Sequence, residues 1–179
     1  MAGGESGGGA YSSEVYDPRL DPWTFCLNPG VQFYDNISEV LPEGRVLIAP
    51  VQPTQAGLTL IFEPGTNPFI IGPSLYRGYD QDEASWVKLS DNSILTVDPY
   101  GTNSKRYIPG LNAWIDDSNV PVPLYDLRNF EIGAALLRPN GKAFFLGATG
   151  NTALYSPTGT TNMGQVAGWA GDSRRPGCN

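Results

Sequence analysis

The chain has 179 residues, enough for one domain over 1–179 with a sizeable core, and its 22 glycines and 16 prolines interrupt it too often for long helices. Eighteen Asp and Glu against 11 Lys and Arg leave a net charge of −7 with no basic stripe, which argues against a nucleic-acid partner. The longest apolar runs, such as that around Ile132 to Leu137, fall far short of the ~20 residues that cross a bilayer, and the absence of histidine excludes imidazole-based triads and histidine-bound zinc.

In chain order, residues 1–10 are mostly Gly and Ala with one Glu and lack the charged-then-apolar order of a secretory leader. Val15-Tyr16-Asp17-Pro18 reads as the end of a strand, with Trp23 five residues beyond its proline. Leu41-Pro42-Glu43-Gly44 then reads as a tight turn into the apolar strand Val46-Leu47-Ile48. The succession returns as Ile61-Phe62-Glu63-Pro64 with Phe69, then the turn Leu89-Ser90-Asp91-Asn92 with Ile94-Leu95-Thr96. It returns again as Tyr107-Ile108-Pro109 with Trp114, the turn Arg138-Pro139-Asn140-Gly141 with Ala143-Phe144-Phe145, and Leu154-Tyr155-Ser156-Pro157. The prolines lie 46, 45 and 48 residues apart (18 to 64, 64 to 109, 109 to 157). Gly44, Asn92 and Gly141 share one column, 48 and 49 apart (44 to 92, 92 to 141). Two independent anchors on one beat of about 47 residues mark a supersecondary unit copied along the chain. In each copy Gly or Asn supplies the positive φ of a tight turn, and the apolar run after it reads as a buried strand, so the fold class is all-β.

The candidates for chemistry lie mainly between the copies. Asp80, Asp82 and Glu83 form an acidic run before Trp86 that could hold a hard cation or act as an acid and base pair on a glycoside. It lacks the Asp-x-Asp-x-Asp-Gly order of a calcium loop, and the competing reading is a solvated connection. Asp116-Asp117-Ser118-Asn119 is a second such connection. Asp98 follows the apolar strand Ile94-Leu95-Thr96-Val97, either as a channel-facing acid or as a turn cap before Pro99. Gly147-Ala148-Thr149-Gly150-Asn151 is followed by neither Gly-Lys-Ser/Thr nor a helix, so it reads as a turn and not a phosphate cradle. Cys26 and Cys178 stand near opposite ends, as a disulfide or as two unrelated thiols, and they cannot supply the four ligands of a structural zinc site. No metal and no cofactor is expected.

The order Ala2-Gly3-Gly4, Ser13-Glu14-Val15-Tyr16-Asp17-Pro18, Trp23-Thr24 resembles the second half of a kelch motif, in which a glycine pair ends one strand, Tyr-Asp-Pro ends the next and a Trp follows. Later copies carry Ala49-Pro50, Val97-Asp98 and Leu146-Gly147 where the glycine pair would stand, and the resemblance runs from Ala2 to about Trp169. It implies a kelch-type β-propeller whose blades are four-stranded antiparallel sheets. The implied layout is a partial first blade at 1–27, blades at 32–76, 84–118 and 130–170, and a flexible tail at 171–179. In such a fold Trp23, Phe69 and Trp114, together with Tyr16, Tyr107 and Tyr155, are expected to pack between blades.

About three and a half blades are fewer than the four to eight of a closed ring, so the ring is expected to be incomplete within one chain. Completion would come from further copies of the chain, from a missing part of a longer protein, or from strands of the segment 163–179 joining the first half-blade. Functionally the resemblance implies a binding or interaction module for a protein or glycan ligand. The alternative is a fragment or relative of a carbohydrate-active propeller enzyme; without histidine, the copper site of the galactose-oxidase branch is not expected. No compartment is legible.

Overall fold

The computed structural model describes residues 11–33, 35–51, 56–66, 68–78, 81–158 and 168–172, and their regular structure is β apart from two 3-10 turns. Strands β1 (Glu14–Tyr16) and β2 (Trp23–Phe25) form an antiparallel hairpin. Three four-stranded antiparallel sheets follow: β3 (Ile37–Val40), β4 (Val46–Ala49), β5 (Leu60–Phe62) and β6 (Phe69–Ile71); β7 (Trp86–Lys88), β8 (Ile94–Val97), β9 (Asn103–Ile108) and β10 (Ala113–Asn119); β11 (Ala135–Leu137), β12 (Ala143–Leu146), β13 (Thr152–Ser156) and β14 (Gly168–Asp172). Within each sheet every strand pairs with its neighbour in sequence, the plain meander of a propeller-type blade. The chain divides into two compact units, Met1–Asp82 and Glu83–Asn179; the first holds the hairpin and β3–β6, the second the other two sheets.

The turn that opens each four-stranded sheet is built the same way three times. Gly44, Asn92 and Gly141 take φ of 88°, 66° and 78°. Their N–H groups donate to the carbonyls of Leu41, Leu89 and Arg138, each at 2.9 Å, while those three residues donate back to Arg45, Ser93 and Lys142 at 2.7, 2.8 and 2.9 Å. A left-handed backbone is costly for any residue with a Cβ, least so for Asn, which is why the column holds Gly and Asn.

The second recurring element is an aromatic pair across the last two strands of each sheet. Tyr16 faces Trp23, Phe62 faces Phe69, Tyr107 faces Trp114 and Tyr155 faces Trp169 in register. Their ring centroids stand 5.2, 5.1, 5.6 and 5.0 Å apart. Directly opposed residues share one face of an antiparallel sheet, so each sheet carries its aromatic pair on one side and a different set on the other.

Each unit has its own core. In the first, Val15 and Cys26 of the hairpin region pack on Phe33, Ile48, Leu60 and Phe62. In the second, Val87, Leu89, Leu95 and Val97 meet Ala143, Phe145, Ala153 and Tyr155 of the following sheet. Each Val, Leu, Ile or Phe side chain among them contributes about 1.5–3 kcal/mol when removed from water.

Strand β14 was not legible in a glycine-rich segment expected to add few strands and to end in a tail. Gly171 and Asp172 pair with Ala153 and Thr152, and residues 173–179 lie outside the described residues. Glycine suits the place, because a Cβ on Gly171 would come within 2.9 Å of side-chain atoms of Pro121 and Val122. The strand therefore completes its own sheet and does not join the β1–β2 hairpin. Around Gly44, by contrast, a Cβ would meet nothing within 4 Å. Gly44→Ala is therefore expected to cost about 1–2 kcal/mol from backbone conformation alone, with Gly44→Asn milder, measured by urea unfolding.

Candidate functional site

The expected acidic residues lie at two places in the chain, on the turn before β7 and directly after β8. Asp82 is half-buried and Glu83 exposed, on the turn before β7; Glu83 has a φ of 52°, and its carbonyl accepts from the N–H of Ile132 at 3.3 Å. Asp80 lies outside the described residues, as do Ala2-Gly3-Gly4 and Cys178. Asp98 is fully buried at 0% exposure, directly after β8, with its backbone N–H donating to Asn103 at 2.9 Å and its carbonyl accepting from Gly101 at 3.2 Å. Its carboxylate lies 2.5 Å from Nζ of Lys105, itself 1% exposed. Asp98 thus stands on a turn, in an ion pair closed off from water.

That pair belongs to a larger arrangement of charge in the second unit. Lys105 and Arg106 are consecutive on β9, so strand alternation sends them to opposite faces of the sheet. Lys105 shares the face of Tyr107 and Trp114, which with Trp86 form an aromatic cluster at 5.3 and 5.6 Å. Arg106 shares the face of Leu95; its Nε stands 3.2 Å from Oδ2 of Asp117 and its Nη1 3.7 Å from Oδ2 of Asp91. Tyr155, on the next sheet, donates its hydroxyl to the same Asp117 oxygen at 2.7 Å. Burial first, and then the Asp117 charge, hold the Tyr155 hydroxyl far above the usual phenol range, so it stays a donor. Trp169 makes a second cross-sheet bond, from Nε1 to Oγ of Ser104 at 3.2 Å, and Ser104 in turn donates to the carbonyl of Ser118. The Tyr155–Asp117 and Trp169–Ser104 bonds join the two sheets of the second unit, and Asp117, expected in a connection, lies in strand β10.

Of the six aromatic anchors, Tyr107, Trp114 and Tyr155 are buried and Phe69 is half-buried, 5.4 Å from Phe33. Tyr16 and Trp23 differ, keeping 42% and 53% of their surface in solvent, with Phe25 beside them at 75%. The hairpin turns Val15 and Thr24 toward the β3–β6 sheet, which leaves Tyr16 and Trp23 on the other side. Beneath the hairpin lies a cavity of about 310 Å³, lined by Ser13, Val15, Cys26, Ser38, Val46, Ile48, Phe62 and Phe69. A hairpin of two strands covers part of a four-stranded sheet, and on that side Ser38 and Val40 of β3 stay exposed. Ser13 Oγ is buried there without a hydrogen-bond partner.

No family model matches the chain, and no curated protein matches it. Among solved structures it is similar to a fungal alcohol oxidase of the AA5 family in complex with copper, at 18% identity and a TM-score of 0.55. The likeness covers 76% of this chain and 29% of that one, so the chain spans less than a third of that protein's length. At this identity the likeness concerns the fold: three four-stranded antiparallel sheets built as blades.

The Asp98–Lys105 pair gives a direct test of its structural role. Asp98→Ala or Lys105→Ala alone leaves the other charge buried without that counter-ion and is expected to cost about 3–5 kcal/mol. The double replacement Asp98→Leu with Lys105→Met is expected to cost clearly less than the two single changes together, in urea unfolding of all three variants.

Proposed function

We propose that the chain is a binding module made of kelch-type propeller blades, acting through contact surfaces for a protein or glycan and not through bond-making chemistry. The observation that supports this most is the pair of apolar sheet faces left in solvent, one around Trp23 and Phe25 and the other around Leu136 and Leu146, at 53%, 75%, 52% and 44% exposure. Exposed apolar patches of this kind are characteristic of interaction sites. Blades beyond those of one chain, supplied by further copies or by a longer protein, complete the ring in this reading.

The alcohol-oxidase likeness raises copper, and the donors of this chain do not fit an imidazole copper site. The sequence has no histidine, and Cys26 is a lone free thiol among the described residues. The hydroxyls of Tyr107 and Tyr155 are bonded to Asn112 and Asp117.

The second reading is a fragment or relative of a carbohydrate-active propeller enzyme, with carboxylates such as Asp80, Asp82 or Asp98 as its acids. Screening the full chain on a glycan array, followed by assay of each retained glycan for reducing-sugar release, separates the two. Retention without release is expected. Release that disappears in Asp82→Asn would establish the enzyme and overturn the module.

A further inference from the structure

We propose that a second copy of this chain covers the two bare faces, the Tyr16–Trp23 face of one copy stacking head to tail on the outer face of β11–β14 of the other. The inference rests on reading the sheets as blades and deepens the interaction-module reading by naming the partner.

The turn column identifies the faces. Leu47, Leu95 and Phe144 each stand three residues after Gly44, Asn92 and Gly141, so they occupy one position of the repeat. Leu47 and Leu95 are fully buried, whereas Phe144 is only half-buried. It lies in a register row that crosses all four strands, Leu136–Phe144–Leu154–Ala170. The row is apolar throughout, and its first member is 52% exposed.

The aromatic column identifies the complement. Within the second unit, Tyr155 and Trp169 lie on the side of their sheet that packs against Leu95 and Val97 of the sheet before. The junction rule is therefore that an aromatic-pair face packs on a Leu95-type face. Tyr16–Trp23 is that aromatic pair without its cover, and Phe144 marks the Leu95-type face without its own.

A chain that displays both halves of one junction is self-complementary head to tail. A face of either kind does not match its own copy, so the contact is heterologous. Charge agrees in sign at the turn end of the two faces, the acidic Asp172 standing at the opposite end of the Phe144 face, in the row of Leu146 and Thr152. Arg138 and Lys142 border the Phe144 face, where the equivalent of Arg138 in the earlier copies is a buried leucine, Leu41 or Leu89. Glu14 and Asp21 border the aromatic pair, Asp21 accepting the Tyr16 hydroxyl at 2.7 Å.

Sedimentation velocity of the full chain tests this. The native chain is expected to sediment as a dimer or larger species, and Trp23→Asp and Leu136→Asp are each expected to sediment as monomers. Both positions are exposed, so folding is expected to persist, checked by circular dichroism; Phe25→Asp and Leu146→Asp serve as second variants. An equimolar mixture of Trp23→Asp with Leu136→Asp is expected to recover a dimer, because each keeps the half that the other has lost. A native chain that stays monomeric, single variants that still assemble, or a mixture that stays monomeric would each overturn the proposal. A monomer that still retains glycans on the array removes the assembly and leaves the binding module standing.

Discussion

The cross-strand aromatic pair is the contact on which the sheets depend. Many of the strands here are only three or four residues long, and a hairpin of that length is marginal in water by backbone pairing alone. Two opposed rings add buried area and an aromatic contact worth roughly 0.5–1.5 kcal/mol beyond it, at the point where the last two strands of each sheet must be held together. Because the rings stand on one face only, within each unit they also decide which face meets the sheet before: that of Phe62 and Phe69 meets the hairpin, that of Tyr155 and Trp169 the β7–β10 sheet. One sequence device thus sets both the pairing within a sheet and the polarity of stacking.

Charge reinforces that polarity in the second unit. Lys105 and Arg106 are buried on opposite faces of one strand, a costly arrangement that persists because each has carboxylate at hand: Asp98 for the first, Asp117 and Asp91 for the second. Tyr155 reaches across to Asp117, and Trp169 to Ser104, so the aromatic pair of one sheet is hydrogen-bonded to the polar residues of its neighbour. Apolar packing alone tolerates sliding; bonds of fixed length and direction select one register.

The sequence exposed the repeat because its strongest signals are local. Positive φ at Gly44, Asn92 and Gly141 is a property of single residues, and the aromatic partners in the first three sheets stand seven residues apart (16 to 23, 62 to 69, 107 to 114). Trp169 does not read as a packing anchor because it lies fourteen residues after Tyr155, so the beat that places Trp114 finds no aromatic in the last copy. The site was less legible for a different reason. The ion pair of Asp98 is not legible along the chain, since its counter-ion Lys105 is placed by the turn between β8 and β9, and Asp117 is joined to Tyr155, 38 residues away, only by packing of two sheets. Burial of a charge depends on what lies on both sides of a strand, and alternation along one strand carries no record of that. Tyr16 and Trp23 show the converse: residues with the signature of buried anchors remain exposed, because the repeat specifies a face and not the neighbour that covers it.

The most direct measurement of this account is the set of nuclear Overhauser effects between aromatic side chains in solution. Contacts between the rings of Tyr16 and Trp23, Phe62 and Phe69, Tyr107 and Trp114, and Tyr155 and Trp169 are predicted, one pair for every sheet. A Trp169 indole that shows no contact with Tyr155, or tyrosine rings that contact aromatics of other copies in place of their cross-strand partners, would contradict it.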